Sequence, residues 1–137
     1  MSGKPPFVDT NVLVYAALEN DLRSEPARAL LATGVIFSVQ ALNEFVSAAR
    51  KLRRKWSEIQ VALSFLEVIC PTPAPLTFAT HRLALEIAQS FGYHIFDALM
   101  IAAALKASSQ TLYSEDMQDG QKIGELTIRN PFRKSRR

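Results

Sequence analysis

The stretch from Phe7 to Asn11 constrains the fold of this chain more than any other. The short apolar run Phe7-Val8 leads into Asp9, Thr10 and Asn11, and apolar residues with helical spacing follow. This pattern predicts a buried strand that feeds directly into a helix, with Asp9 at the carboxyl end of the strand. Ligands bind at that edge in open α/β sheets. A carboxylate there loses hydration, so it requires a cation or hydrogen-bond donors.

The rest of the chain alternates short apolar runs with helical patterns. Strands separated by helices predict a parallel sheet with right-handed crossovers and helices on both faces. We therefore expect an α/β protein, a three-layer α/β/α sandwich around a mostly parallel sheet of four to five strands. Residues 1–132 are predicted to form a single domain, followed by a basic tail at 133–137. Further strands are predicted at 35–37, 110–113 and 126–129, and helices at about 11–18, 24–33, 40–55, 57–68, 77–91 and 97–107.

The composition predicts a globular protein. Of the 137 residues, 48% are hydrophobic and 21% are charged, which is typical of a chain that folds around a core. No apolar run approaches the ~20 residues of a membrane span, and the N-terminal segment lacks the apolar core of a signal peptide. We therefore expect a cytoplasmic protein with no membrane partner. Cys70 is the one cysteine, which excludes a disulfide framework and a cysteine metal site.

The net charge is only +3, but the basic residues are clustered. Clustered basic side chains gain free energy from counterion release on nucleic acid, so a polyanionic partner is one interpretation. The alternative is a solvated helix end and a frayed tail. The 50–55 cluster consists of Arg50, Lys51, Arg53, Arg54 and Lys55, and the C-terminal cluster consists of Arg129, Arg133, Lys134, Arg136 and Arg137.

Four acids are predicted to meet at one edge of the sheet. Asp9 follows the first strand, Glu44 lies one helical turn beyond the second, and Asp116 follows the third. Asp97 lies at a helix start, the end of a helix that favours an anion. Each acid alone also has a structural explanation. Asp97 can cap its helix, Asp116 can cap the following turn, and Glu44 can be a solvated helix residue.

Four converging carboxylates repel one another, and each raises the pKa of its neighbours. A hard divalent cation relieves that repulsion, and an all-oxygen ligand set suits Mg²⁺ or Mn²⁺ better than Zn²⁺. A pair of such ions supports phosphodiester hydrolysis, since one lowers the pKa of a bound water and the other stabilises the leaving oxygen. The sequence has no glycine-rich phosphate loop and no dinucleotide fingerprint.

Taken in order, four blocks of the sequence resemble the PIN-domain nucleases. The resemblance runs from about residue 6 to Phe132 and is nearest to the small VapC-type toxins of toxin–antitoxin pairs. It implies a PIN-like fold and a metal-dependent ribonuclease. The blocks are Phe7-Val8-Asp9-Thr10-Asn11, Ser38-Val39-Gln40-Ala41-Leu42-Asn43-Glu44-Phe45, Phe96-Asp97-Ala98-Leu99-Met100-Ile101-Ala102-Ala103-Ala104 and Tyr113-Ser114-Glu115-Asp116-Met117-Gln118-Asp119-Gly120.

The resemblance also implies roles for individual residues and partners. The catalytic, metal-binding acids would be Asp9, Glu44, Asp97 and Asp116, with Asp119 as a peripheral metal-binding acid. Thr10, Asn11 and Ser114 would orient the acids or a bound water as hydrogen-bond donors. The family further implies a homodimer, and an antitoxin segment across the active-site groove. In that setting the 50–55 cluster would guide RNA or meet an acidic partner.

We therefore predict an Mg²⁺- or Mn²⁺-dependent endoribonuclease, the toxin component of a type II toxin–antitoxin system. One alternative is a non-catalytic RNA- or protein-binding module with the same fold. The other is a housekeeping RNA-processing nuclease.

Overall fold

The computed structural model describes residues 4–132. Arg133, Lys134, Arg136 and Arg137 of the C-terminal cluster lie outside this range. The helices and strands are β1 Phe7–Val8, α1 Thr10–Ala17, α2 Ser24–Ala32, α3 Val39–Lys51, α4 Trp56–Ile69, α5 Phe78–Phe91, α6 Ile95–Lys106, β2 Thr111–Tyr113, β3 Lys122–Ile123 and β4 Leu126–Arg129.

The sheet has the strand order β1-β2-β4-β3. β1 pairs with β2 and β2 pairs with β4 in parallel, whereas β3 runs antiparallel to β4. The ladder continues past the strand ends, where the backbone N–H of Asp9 donates to the carbonyl of Tyr113 at 2.9 Å and that of Ser114 donates to Arg129 at 2.9 Å. Asp9 and Ser114 are thereby neighbours at the carboxyl edge of the parallel strands.

The predicted α/β architecture with a mostly parallel sheet is confirmed, with two local differences. The 35–37 run pairs with β1 only through a single parallel bridge between Phe7 and Ile36. Its pairing with β1 ends there because Ser38 already caps α3, accepting from the backbone N–H of Ala41 at 3.0 Å. The second difference is β3, which was not predicted because Lys122 and Ile123 are one charged and one apolar residue and form no apolar run.

Helix α3 ends at Lys51, four residues before its predicted end. Arg53 has φ 63°, the left-handed backbone conformation that stops a helix. Leu52 and Trp56 therefore lie outside α3 and are 43% and 57% exposed. Trp56 begins α4 instead, with the guanidinium of Arg50 4.6 Å from its ring centroid.

Helix α6 forms the centre of the core. All seven residues from Ala98 to Ala104 are buried, and the helix contacts α3, α5 and β2. Helix α1 contacts α2, α3 and α4. A helix buried on nearly every side is apolar all round, so it carries little amphipathic pattern. Within residues 4–132, no helix has the length and apolar character needed to cross a membrane.

Candidate functional site

Asp9 connects β1 to α1 and is only 5% exposed. Its Oδ1 accepts a hydrogen bond from the backbone N–H of Thr10 at 2.7 Å, and its Oδ2 accepts one from Ser114 Oγ at 2.8 Å. Burial raises the pKa of Asp9 to about 6; these two hydrogen bonds oppose the rise, and the charges of Asp97 and Glu44 add to it. The buried carboxyl therefore interacts electrostatically with two acids from other helices.

Glu44 is held against the start of α1. Its Oε1 accepts from Thr10 Oγ1 at 3.2 Å, and its Oε2 accepts from Gln40 Nε2 at 3.0 Å. Gln40 lies one helical turn earlier on α3, so the amide and the carboxylate share a face of that helix. Thr10 thus links Asp9 to Glu44, through its backbone on one side and its hydroxyl on the other.

Asp97 lies in the first turn of α6. His94 caps the start of α6, where its Nδ1 accepts from the backbone N–H of Phe96 at 3.3 Å. Asp97 is half-buried, and this burial raises its pKa. The charge of Asp116 raises the pKa further, the nearby His94 lowers it, and the charge of Glu44 raises it again. The charge of Asp97 is therefore coupled to those of Asp116 and Glu44.

Asp116 lies in the exposed turn that follows β2. Its Oδ2 accepts from Asn11 Nδ2 at 3.1 Å, and its backbone N–H donates to Ser114 Oγ at 3.2 Å. The backbone N–H of Glu115 donates in turn to Asn11 Oδ1 at 3.3 Å. Asn11 and Ser114 therefore hold this turn against α1, and Ser114 connects Asp116 to Asp9 through a single hydroxyl group.

The sequence did not predict a second set of contacts that holds the same turn, between Glu115 in the turn and Tyr15 and Arg23. Glu115 accepts from the Tyr15 hydroxyl at 2.7 Å and forms an ion pair with Arg23, whose guanidinium lies 5.4 Å from the Tyr15 ring centroid. Burial, followed by the hydrogen bond and charge of Glu115, raises the pKa of Tyr15 to about 12. The sequence offers only one signal for this set, the position of Glu115 beside Asp116.

Asp119 lies farther along the turn and has a structural contact. Its Oδ1 accepts from the backbone N–H of Asn130 at 2.8 Å, which ties the turn to the chain after β4. The structure thus assigns this carboxylate a role in holding the turn, and its predicted role as a metal ligand stays a prediction.

Two arginines of the 50–55 cluster make contacts within the fold. Arg50 Nη1 donates to the carbonyl of Arg54 at 2.9 Å, and the Arg54 guanidinium donates to the carbonyl of Leu18 at the end of α1. These two arginines connect the α3–α4 corner to α1. Lys51 instead faces the groove that contains Glu44.

That groove, which we call the trough, consists of two adjacent depressions of about 490 and 510 Å³. Glu44, Ala48 and Lys51 line both depressions, so the trough is continuous along one face of α3. The first depression is completed by Gln40, Asn43, Ser47 and Phe96. The second is completed chiefly by Thr10, Asn11, Tyr15 and Asp116.

A family comparison identifies the chain. The model of the PIN domain matches residues 7–119, a span that contains all four acids and most of the chain. This chain belongs to the PIN domain family. No curated protein matches the sequence.

Solved structures similar to this PIN domain come from toxin–antitoxin proteins. The VapC20 toxin of Mycobacterium tuberculosis, which cleaves the sarcin-ricin loop, aligns with TM-score 0.64 and 21% identity over 78% of this chain and 86% of its own. VapBC2 of Rickettsia felis, bound to promoter DNA, aligns with TM-score 0.70 and 19% identity over 93% of this chain and 98% of its own. A toxin–antitoxin complex from Klebsiella pneumoniae aligns with TM-score 0.68 and 15% identity over 92% of this chain and 97% of its own. At these identities the likeness establishes a common fold.

The donor chemistry of the PIN domain edge fits a hard divalent cation. The four carboxylates supply only oxygen, and the charge coupling among them is the repulsion that such an ion relieves. Within residues 4–132, however, no three acidic, histidine or cysteine side chains are arranged to hold a metal ion as they stand. The structure therefore brings the acids into electrostatic contact without enclosing a coordination sphere.

Proposed function

We propose that this PIN domain is an endoribonuclease that depends on Mg²⁺ or Mn²⁺, with Asp9, Glu44, Asp97 and Asp116 as the metal-holding acids. The observation that carries the proposal is the coupling of these acids at the carboxyl edge of the sheet. They come from the starts of α1 and α6, the second turn of α3 and the turn after β2. Their coupled charges make the edge anionic, and an anionic edge repels a phosphodiester unless a cation neutralises it.

The bound cation would supply a more acidic water and charge stabilisation for the leaving oxygen. The chain's own residues prepare the acids for it. Asp9 must be deprotonated to act as a ligand, and the donors Thr10 and Ser114 favour its charged form. Each Asp9 oxygen accepts one of these hydrogen bonds, so each retains acceptor capacity for an ion.

Thr10 and Asn11 orient two of the other acids. The Thr10 hydroxyl directs Glu44 towards α1, and the Asn11 amide directs Asp116 towards the same helix start. Mutation of residues that orient metal ligands in this way commonly lowers metal affinity or activity about 10–100-fold.

The proposed biological role is the toxin component of a type II toxin–antitoxin system, acting in the cytoplasm as a homodimer and inhibited by an antitoxin protein. Support comes from the fold shared with VapC20, with VapBC2 and with the Klebsiella toxin–antitoxin complex. The competing role is a housekeeping RNA-processing nuclease. A short open reading frame for a DNA-binding antitoxin next to the gene supports the toxin role, and its absence supports the housekeeping role.

The test is cleavage of structured RNAs by the purified protein with Mn²⁺ and with EDTA. We expect cleavage only with Mn²⁺, and a loss of at least about 100-fold in Asp9→Asn and Asp97→Asn, because direct ligands matter more than the residues that orient them. Glu125→Gln, which removes one exposed carboxylate from the β3–β4 turn, is the matched control and should cleave normally.

Absence of metal-dependent cleavage, or full activity in both Asn variants, contradicts the proposal. Either result favours the non-catalytic RNA- or protein-binding alternative. In that case charge reversal at Arg53 should weaken RNA binding while loss of the acids leaves it intact.

A further inference from the structure

A tyrosine hydroxyl joins the helix start that carries Asp97 to the turn that carries Asp116. Tyr93 lies four residues before Asp97, in the segment between α5 and α6, and it is half-buried. Its hydroxyl accepts from the backbone N–H of Gln118 at 3.3 Å and donates to Gln121 Oε1 at 2.5 Å. Gln118 lies two residues after Asp116. One phenol group thus connects the two segments from which these acids project.

The backbone of Tyr93 is anchored on both sides. Gly92 ends α5 with φ 77°, the left-handed conformation that favours glycine, and its N–H donates to the carbonyl of Ala88 at 2.9 Å. On the other side, His94 caps the start of α6. Helices α5 and α6 pack against each other, and the Tyr93 ring packs against the buried core. The hydroxyl therefore projects from a fixed part of the fold.

The two acids joined in this way also interact electrostatically. After burial, the charge of Asp116 is the largest influence on the pKa of Asp97. Asn11 and Tyr15 connect the turn of Asp116 to α1, whereas Tyr93 connects it to the chain that leads into α6. The turn is therefore held towards two different helices, each of which begins beside an acid of the site.

We propose that Tyr93 is a positioning residue, whose hydroxyl sets the separation of the Asp97 and Asp116 carboxylates at the carboxyl edge of the sheet. The inference rests on the proposed metal-dependent function and concerns how this chain prepares its acids for the ion. A cation such as Mg²⁺ demands near-ideal octahedral geometry, with oxygens at about 2.0–2.1 Å, so the spacing of its ligands affects its affinity. Loss of the hydroxyl should therefore weaken metal binding.

The experiment measures Mn²⁺ binding without RNA, from the electron paramagnetic resonance signal of the free ion. Tyr93→Phe keeps the ring and removes the hydroxyl, and it should weaken Mn²⁺ binding about 10-fold, as for other residues that orient metal ligands. Tyr113→Phe is the matched control and should bind Mn²⁺ as wild type does. Tyr113 is also half-buried, and its hydroxyl forms no hydrogen bond within residues 4–132.

A second variant acts on the same hydroxyl from the other side. Gln121→Met removes one partner of Tyr93, and it should weaken Mn²⁺ binding less than Tyr93→Phe, because the Gln118 N–H still donates to the phenol oxygen. Combining Gln121→Met with Tyr93→Phe should give no loss beyond that of Tyr93→Phe alone, since both changes break the same hydrogen bond.

The number of bound ions separates positioning from general support of the fold. A variant that is partly unfolded would bind fewer ions per chain with unchanged affinity in the molecules that remain folded. We expect the opposite for Tyr93→Phe, an unchanged number of ions and a lower affinity. In RNA cleavage, the half-saturating Mn²⁺ concentration should rise about 10-fold while the rate at saturating Mn²⁺ changes less than twofold.

Equal Mn²⁺ affinity in Tyr93→Phe and wild type overturns the inference, as does an equal loss in Tyr113→Phe. If wild type cleaves RNA with Mn²⁺ while its affinity for the ion is indifferent to Tyr93, only the inference fails. If Mn²⁺ affinity depends on Tyr93 but no RNA is cleaved, the inference holds and the nuclease function fails. A wild-type protein that binds no Mn²⁺ contradicts both.

Discussion

The two halves of the candidate site are held in different ways. Asp9 is 5% exposed, and the strand and helix on either side of it fix its position. Asp116 is exposed on a turn, where its carboxylate accepts from Asn11 and its backbone N–H donates to Ser114 Oγ. The buried half therefore bears the cost of desolvating a charge, whereas the position of the exposed half depends on a few cross-links.

This difference bears on how each half responds to substitution. Asp9 lies between a strand and a helix start, so it cannot move far without disturbing both. The turn bearing Asp116 connects to the rest of the fold mainly through side-chain contacts rather than strand or helix pairing, and exposed segments of this kind open with lower free energy than the core. The comparison predicts that changes in the buried half alter stability and that changes in the turn alter its motion.

The largest expected effect is on the free energy of unfolding, through the ionisation of Asp9. Its pKa rises from 3.8 to about 6 in the folded protein, so the folded state holds this proton more tightly than the unfolded state. The resulting stabilisation is complete below about pH 4 and is lost as pH rises through 6. Above that, charging the carboxyl costs about 3 kcal/mol. Without metal at pH 7.5, Asp9→Asn should therefore be more stable than wild type by up to about 3 kcal/mol, measured by urea unfolding in EDTA.

The matched variant for this comparison is Asp116→Asn, which removes an exposed carboxylate from the other half of the site. Its stability should stay within about 0.5 kcal/mol of wild type. The advantage of Asp9→Asn should disappear towards pH 4. A constant advantage across the pH range would mean that burial of Asp9 is not its cause.

A smaller effect is expected at the hydroxyl that joins the two halves. Ser114→Ala removes the donor to Asp9 Oδ2 and the acceptor of the Asp116 N–H, leaving polar groups unpaired. We expect a loss of about 1–2 kcal/mol in the free energy of unfolding and a further rise in the Asp9 pKa, followed by carboxyl NMR. Exposed Ser47→Ala is the control, and equal stability of the two variants would show that the halves are independent.

The smallest effect is expected at Glu115, whose contacts with Tyr15 and Arg23 hold the turn. Glu115→Gln removes the ion pair with Arg23 but can keep an acceptor for the Tyr15 hydroxyl. Because surface ion pairs contribute little to global stability, the melting temperature should barely change. Hydrogen exchange of the amides at 115–119 should accelerate several-fold, with no change in α6. Unaltered exchange in the turn would show that the ion pair between Glu115 and Arg23 does not restrain it.

Local patterns predicted much of the fold. The apolar run before Asp9 and the continuous apolar stretch after Asp97 each specify one element, so β1, α1 and α6 could be found from sequence. The end of α3 could not, because the left-handed Arg53 reflects a tertiary contact between Arg54 and the end of α1. A single-domain boundary at 132 stays a prediction.

Long-range contacts limited what the sequence could indicate about the site. The acids stood out because carboxylates after strands have a chemical reason to be there. Tyr15 and Arg23 did not, since their contacts with Glu115 span 100 and 92 residues and leave no local signature. For the 50–55 cluster, charge alone does not reveal that Arg50 and Arg54 donate to backbone carbonyls while Lys51 faces the trough.

The backbone amide of Thr10 has a consequence for observing this protein in solution. That N–H donates to Asp9 Oδ1 at 2.7 Å, so its proton resonance depends on the electron density of the carboxylate. Protonation or ligation of Asp9 withdraws that density and weakens the hydrogen bond, which moves the resonance upfield. A single peak in a nitrogen–proton correlation spectrum would then monitor occupancy of the anionic edge, without a label and without substrate.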